Sequence, residues 1–181
     1  FKEMMQAGLE CFGKIDEEEL LNVVSLAAES LKVLSEKSML SVSCLDLPGM
    51  LIDGMDLSGE GKKRLYQAIA ERNLHEMDAL CPADDANLAT LKQLISLNGE
   101  IEMMLPKLCD LLPQFMENDA FRTFHSIMQK LSQSPLAPFI RMDFSVTDDV
   151  NYYNGIVFKG YIQGIPEAVL SGGQYDRLMK K

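Results

Sequence analysis

With 181 residues, 47% of them hydrophobic, the chain is long enough for one sizeable domain, or a domain with an insertion, and too apolar to stay disordered. A formal net charge of −10 argues against nonspecific nucleic-acid binding, and no apolar run approaches the roughly 18 residues of a membrane span. Cys11, Cys44, Cys81 and Cys109 form no C-x-x-C pair and sit in apolar stretches, while His75 and His125 are isolated, which reads as buried, reduced thiols of a cytoplasmic protein with no metal site.

The first element is a predicted strand over residues 3–12, EMMQAGLECF. Side chains alternate with period two, so Met5, Ala7, Leu9 and Cys11 share one face and Gln6, Gly8 and Glu10 the other. Taken alone, this is an edge strand with a solvated polar face. A glycine inside a strand, however, suggests close approach of something to the backbone. Because Phe1 is not a methionine and already reads as strand interior, and because the last helix starts near Asp176 and stops, the chain is expected to be a piece of a longer protein. It shows no signal or transit peptide pattern.

Asp16, with Glu19 three residues later, has the pattern of a capping box and opens a helix. Its apolar stripe is Leu20, Val23, Val24, Ala27, Leu31 and Leu34. Residues 39–45 read as a short buried strand. Residues 46–137 change character. Breaks at Pro48-Gly49, Ser58-Gly59, Pro82, Asn98-Gly99, Pro113 and Ser134-Pro135 separate helices predicted at 60–71, 73–80, 84–97, 99–111 and 118–132. Met103, Met104, Met116 and Met128 are expected to fill gaps in this block's core. Strands return at 139–144, 153–163 and 166–171. On the second of these, Tyr152, Ile156, Phe158 and Ile162 share one face, with Tyr153, Gly155, Lys159 and Tyr161 opposite. The predicted division is therefore 1–45 and 138–181 as two parts of a sheet domain, with 46–137 as a helical insertion. Two polar strand faces with glycine gaps, distant in sequence, can form the partly polar floor of a small-molecule site.

Three segments carry a resemblance. MQAGLECFG, from Met5 to Gly13, resembles the second class II strand of histidyl-tRNA synthetases, with its Gln-x-Gly-x-Glu pattern. NYYNGIVFKGY resembles the family's histidine-binding segment, and SGGQYDRL its Gly-Gly-Arg-Tyr-Asp segment. The resemblance implies an α+β fold: a class II aminoacyl-tRNA synthetase-like antiparallel sheet flanked by helices. It also implies histidine contacts from Gln6, Glu10, Tyr153 and Tyr175, with space left by Gly8, Gly155, Gly172 and Gly173.

The departures from the family pattern concern charge. Asp148, Asp149 and Val150 stand where the family has Arg-Gly-Leu, Gln174 replaces the arginine of Gly-Gly-Arg-Tyr-Asp, and Phe1-Lys2 replaces Tyr-Arg. A carboxylate at the arginine position would repel an ATP phosphate. This pattern is similar to the family's non-catalytic branch, the regulatory subunits of ATP phosphoribosyltransferase in histidine biosynthesis. That likeness implies an allosteric, cofactor-free protein that binds L-histidine, joins and activates a short-form catalytic subunit, and forms a homodimer within a hetero-oligomer. A divergent but active histidyl-tRNA synthetase is the alternative, and a synthetase-like protein with some other amino-acid-binding or structural role is a third reading.

Overall fold

The computed structural model describes residues 5–81, 85–147 and 152–175. Helix α1 spans Glu17–Leu34. Asp16 Oδ1 accepts from the backbone N–H groups of Glu18 and Glu19, and the Asp16 N–H donates to Glu19 Oε2 at 3.2 Å, completing the expected capping box. Leu20, Val24, Ala27, Ala28 and Leu31 are buried. Leu34, placed on the stripe by the sequence, is exposed at the last residue of α1, whereas Leu31 one turn earlier is buried.

Strand β1 (Ser38–Cys44) follows, then α2 (Asp46–Asp53). The Pro48-Gly49 pair does not break the chain here. Pro48 lies in the first turn of α2, where backbone N–H groups have no partner within the helix. Helices α3 (Gly59–Ala70), α4 (Leu74–Leu80), α5 (Ala86–Ser96), α6 (Ile101–Leu111) and α7 (Asp119–Ser132) agree with the predicted ones to within about two residues. A three-residue strand, β2 (Asn98–Glu100), occupies the predicted break between α5 and α6. Strands β3 (Ile140–Asp143), β4 (Asn154–Ile162) and β5 (Leu170–Gln174) complete the described elements.

The five strands form one sheet in the order β2-β3-β1-β4-β5. Every neighbouring pair is antiparallel except β1 and β3, which run parallel. The expected antiparallel sheet is therefore mixed at its centre. The helical stretch between β1 and β3 is what lets the chain return in the same direction, as a parallel pair requires.

The two faces of the sheet differ. Leu40, Val42, Cys44, Ile140, Met142, Ile156 and Phe158 point into a single core with the helices. Burial pushes the Cys44 thiol up to about 12, which leaves it inert at neutral pH. Cys81 is also buried and Cys109 half-buried, but Cys11 is exposed, contrary to the sequence expectation. Of the four methionines expected in the core, Met128 is fully buried and Met104 packs against the core edge, while Met103 and Met116 are largely exposed.

The second face carries Ser41, Ser43, Arg141, Asp143, Val157, Lys159 and Tyr161, by strand parity. A small cluster of Leu45, Val146 and Val157, with Tyr153 against it, packs separately from the main core. Asp143 organises one end of this face. It accepts from the Arg72 guanidinium at 2.7 and 2.9 Å, from Asn98 Nδ2 at 2.9 Å and from the backbone and hydroxyl of Ser145.

Residues 5–12 have no strand pairing and are exposed, Met5 almost completely so. The predicted strand at 3–12 is therefore not formed over the described part. Alternation marks a segment that can be a strand, but its N–H and C=O groups need a neighbour, and none of the described strands provides one. Likewise the strand predicted at 166–171 lies four residues further on, at Leu170–Gln174, where β4 supplies its partner.

Candidate functional site

The second face of the sheet holds a cavity of about 450 Å³. Tyr153, Val157, Phe158 and Lys159 of the β4 region, Val146 of the loop after β3, and Ser171 and Gly172 of β5 line it. A larger hollow of about 610 Å³ lies beyond Tyr153, between α2, α3 and the start of α7. Its charges are mixed, with Asp46, Asp53 and Asp119 beside Lys62 and Lys63, and Lys62 already pairs with Asp53 at 2.7 Å. The smaller cavity is the better-defined candidate, because Gly172 and two aromatic residues, Tyr153 and Phe158, shape it on two paired strands.

A β-bulge builds this site. The β4–β5 register shifts between Asn154 and Val157, and Gly155 takes φ +60°. That conformation is left-handed, which glycine adopts without cost. Where the Gly155 side chain would be, the Gln174 carboxamide sits instead. Its Oε1 accepts from the backbone N–H of Ile156 at 2.8 Å, a donor that the bulge leaves without a ladder partner. Gly173 leaves room for Val157 and for the ring of Tyr153, which folds back along the strand, and Gly172 leaves room for Phe158 on the core side. Three of the predicted glycines thus shape the local packing from which the cavity is cut.

Tyr175 follows β5. Its ring lies 5.8 Å from that of Tyr152, which meets Tyr153 edge-on at 4.8 Å. Tyr152 joins the two predicted site tyrosines, although simple alternation placed it on the opposite face from Tyr153; the bulge and the bend before it bring them together. The Tyr175 hydroxyl is buried with no hydrogen-bond partner among the described residues. Desolvation, then the carboxylate of Glu10, raises this phenol above its ordinary value, so Glu10 lies near it.

The predicted site residues therefore separate. Tyr153 and Gly172 line the cavity, Gly155 and Gly173 lie on the adjoining stretches of β4 and β5, Tyr175 follows β5 outside the lining, and Glu10 approaches Tyr175 from the N-terminal segment. Gln6 and Gly8 lie in the exposed stretch, with open space around Gly8. Asp148 and Asp149, at the positions of altered charge, fall outside the described residues, as do Phe1 and Lys2. Alternation places Lys159 on the polar face but not in the site, and nothing in the sequence pattern points to Ser171, Val146, Val157 or Phe158 as cavity lining. Ser41 and Ser43, which alternate with Leu40, Val42 and Cys44, stand opposite Lys159 and Val157 on β4. The register that aligns Ser41 with Lys159 requires the folded sheet.

The chemistry available is recognition. Aromatic rings can cover a flat ligand, and hydroxyls and an ammonium group can meet its polar ends.

Comparison with known proteins decides the family. The family model described as histidyl-tRNA synthetase matches residues 1–181, the whole chain. The chain belongs to the histidyl-tRNA synthetase family. Within that family it is similar to the ATP phosphoribosyltransferase regulatory subunit of Caldanaerobacter subterraneus subsp. tengcongensis, at 26% identity over 186 residues, covering 99% of this chain and 48% of the relative. The protein of the same name from Alkaliphilus metalliredigens is 26% identical over 182 residues, covering 98% of this chain and 46% of the relative. The chain thus spans a little under half the length of these curated relatives.

Solved family structures share the fold. An ATP phosphoribosyltransferase regulatory subunit/histidyl-tRNA synthetase from Bacillus halodurans superposes with a TM-score of 0.72 at 20% identity, covering 91% of this chain and 44% of that one. An ATP phosphoribosyl transferase (HisG:HisZ) complex from Thermotoga maritima gives a TM-score of 0.65 at 15% identity, with 90% and 57% covered. The mixed sheet flanked by helices is therefore the class II synthetase-like fold of this family.

Proposed function

We propose that this chain is part of a regulatory subunit of ATP phosphoribosyltransferase, which binds L-histidine on the second face of the sheet without activating it and adjusts a separate catalytic subunit in response. The observation that carries this reading is Gln174. The family resemblance gives this position to an arginine, which would project a cation toward a substrate. Here the side chain turns into the bulge and holds the Ile156 N–H. A group committed to a buried backbone donor supplies no positive charge to a phosphate, and charge stabilisation is what phosphate chemistry needs most. The tyrosines and glycines that shape an amino-acid pocket are kept, and the regulatory-subunit names of the relatives agree with this division.

The test is reconstitution. The full-length protein is mixed with a short-form ATP phosphoribosyltransferase catalytic subunit, and co-elution and the transferase rate are measured. The expected result is a complex whose rate exceeds that of the catalytic subunit alone and falls when L-histidine is added. Failure to associate, together with histidine-dependent ATP–pyrophosphate exchange, would instead establish a histidyl-tRNA synthetase.

A further inference from the structure

The larger hollow, of about 610 Å³, falls within the range of about 300–1,000 Å³ usual for small-molecule sites, and histidine binding on the sheet makes no use of it. It lies between α2, α3 and the start of α7, and Tyr153 is the residue it shares with the smaller cavity. Gly49, on α2 about one turn beyond Asp46, leaves the helix surface bare there: a Cβ would stand 3.3 Å from the Tyr66 hydroxyl. Leu45, Met50, Tyr66 and Tyr153 give the hollow an apolar and aromatic wall, and charged side chains stand around it.

Five charged residues line this hollow, and three of them are already engaged. Lys62 Nζ donates to Asp53 Oδ1 at 2.7 Å, tying α3 to α2, and Asp119 Oδ1 accepts from Arg122 at 2.6 Å. The other two are Asp46, half-buried in the first turn of α2, and Lys63, exposed on α3. Among the described residues they form an ion pair neither with each other nor with any third group, although they are opposite in sign and line the same space. The helix dipole accounts for a carboxylate at the start of α2, but not for an ammonium group facing the same hollow from another helix. A ligand that itself carries both charges can meet each of them, and neither of its own charges is then left unpaired.

We propose that this hollow is a second binding site, which takes a free α-amino acid with an uncharged apolar or aromatic side chain. Asp46 receives its ammonium group, Lys63 its carboxylate, and Tyr66 and Tyr153 cover its side chain. A lone anion would meet the repulsion of Asp46, and a lone cation that of Lys63, so the zwitterion is the form that suits both. A charged side chain gains nothing further, because Asp53, Lys62 and Asp119 are paired within the protein. The site is separate from the cavity assigned to histidine and does not depend on that assignment.

The experiment titrates the full-length protein by calorimetry with L-phenylalanine and with two analogues that each keep one charge: phenethylamine, which lacks the carboxylate, and hydrocinnamate, which lacks the ammonium group. Wild type should bind phenylalanine about 10–100-fold more tightly than either analogue, the ratio expected for one charge-assisted hydrogen bond. Asp46→Asn should reduce phenylalanine affinity to the hydrocinnamate level and leave hydrocinnamate affinity unchanged. Lys63→Met should reduce it to the phenethylamine level and leave phenethylamine affinity unchanged. Lys63 is exposed, so its variant should fold even if Asp46→Asn does not, and the ligand comparison on wild type needs no variant. Equal affinity for the three compounds, or no binding of phenylalanine, overturns the zwitterion site. Phenylalanine binding that survives both substitutions also overturns it, because the ligand then lies elsewhere. None of these outcomes bears on whether histidine binds in the smaller cavity.

Discussion

Gly155→Ala is expected to destabilise the protein by about 2–4 kcal/mol, a large effect for the addition of one methyl group. Two costs combine. Alanine at φ +60° is strained by about 1 kcal/mol or somewhat more. The new Cβ also falls on the Gln174 carboxamide and must expel it. Expulsion strands the Ile156 N–H, on a residue only 3% exposed, and an unsatisfied buried donor costs roughly 1–3 kcal/mol. Gln174→Ala alone should incur the second cost but not the first. A double-mutant cycle by urea denaturation isolates the coupling: the pair should be less destabilising than the sum of the singles by about 1 kcal/mol or more, because the donor can be orphaned only once. Strict additivity, or a Gly155→Ala variant within about 0.5 kcal/mol of wild type, contradicts the plugged bulge.

The second large effect is expected at Asp143. Its carboxylate is 13% exposed and ties β3 to β2 through Asn98, to the loop after β3 through Ser145, and to the end of α3 through Arg72. Arg72 occupies the left-handed position after α3 at φ 53°, where glycine is usual. Its backbone N–H bonds the Ile69 carbonyl and that of Asn73 bonds the Ala68 carbonyl, the paired pattern of a Schellman ending. An arginine there bears a backbone penalty that the Asp143 contacts offset.

Asp143→Ala leaves these donors without their shared acceptor. It should cost about 2–4 kcal/mol, within the range for breaking a largely buried charged network and lowered by the partial exposure of Arg72. For a domain of this size that corresponds to a fall in Tm of roughly 10 °C. Arg72→Gly should cost much less, because relief of the left-handed strain compensates for part of the lost ion pair. If Asp143→Ala and Arg72→Gly shift Tm equally, the Asn98 and Ser145 contacts contribute little, and this account of the network fails.

Most of the fold was legible because its helices announce their ends and faces. Asp16 and Glu19 cap α1 as their spacing implies, and the strand patterns at Ser38–Cys44, Ile140–Asp143 and Asn154–Ile162 needed little adjustment. What escaped was set by partners rather than by local pattern. Asn98–Glu100 is a strand only because β3 lies beside it, and the glycine-rich β5 has almost no strand propensity of its own. The alternation of residues 3–12 was clear, yet Met5 to Phe12 remain unpaired and exposed.

The candidate site divides in the same way. Tyr153, Tyr175 and the glycines could be named from motif likeness, but the bulge that fits Gln174 into the space above Gly155 exists only in three dimensions. Gln174 is informative for that reason. Its sequence shows a lost charge, and its geometry shows the structural use to which the replacement is put.

The proposed role comes down to whether the pocket holds histidine without activating it, and one measurement bears on that most directly: calorimetric titration of L-histidine into the full-length protein, with and without saturating ATP and Mg²⁺. The account predicts saturable binding whose heat and affinity are unchanged by ATP, since no adenylate forms. Histidine binding that appears only with ATP, or a sustained heat of turnover when both are present, would contradict it.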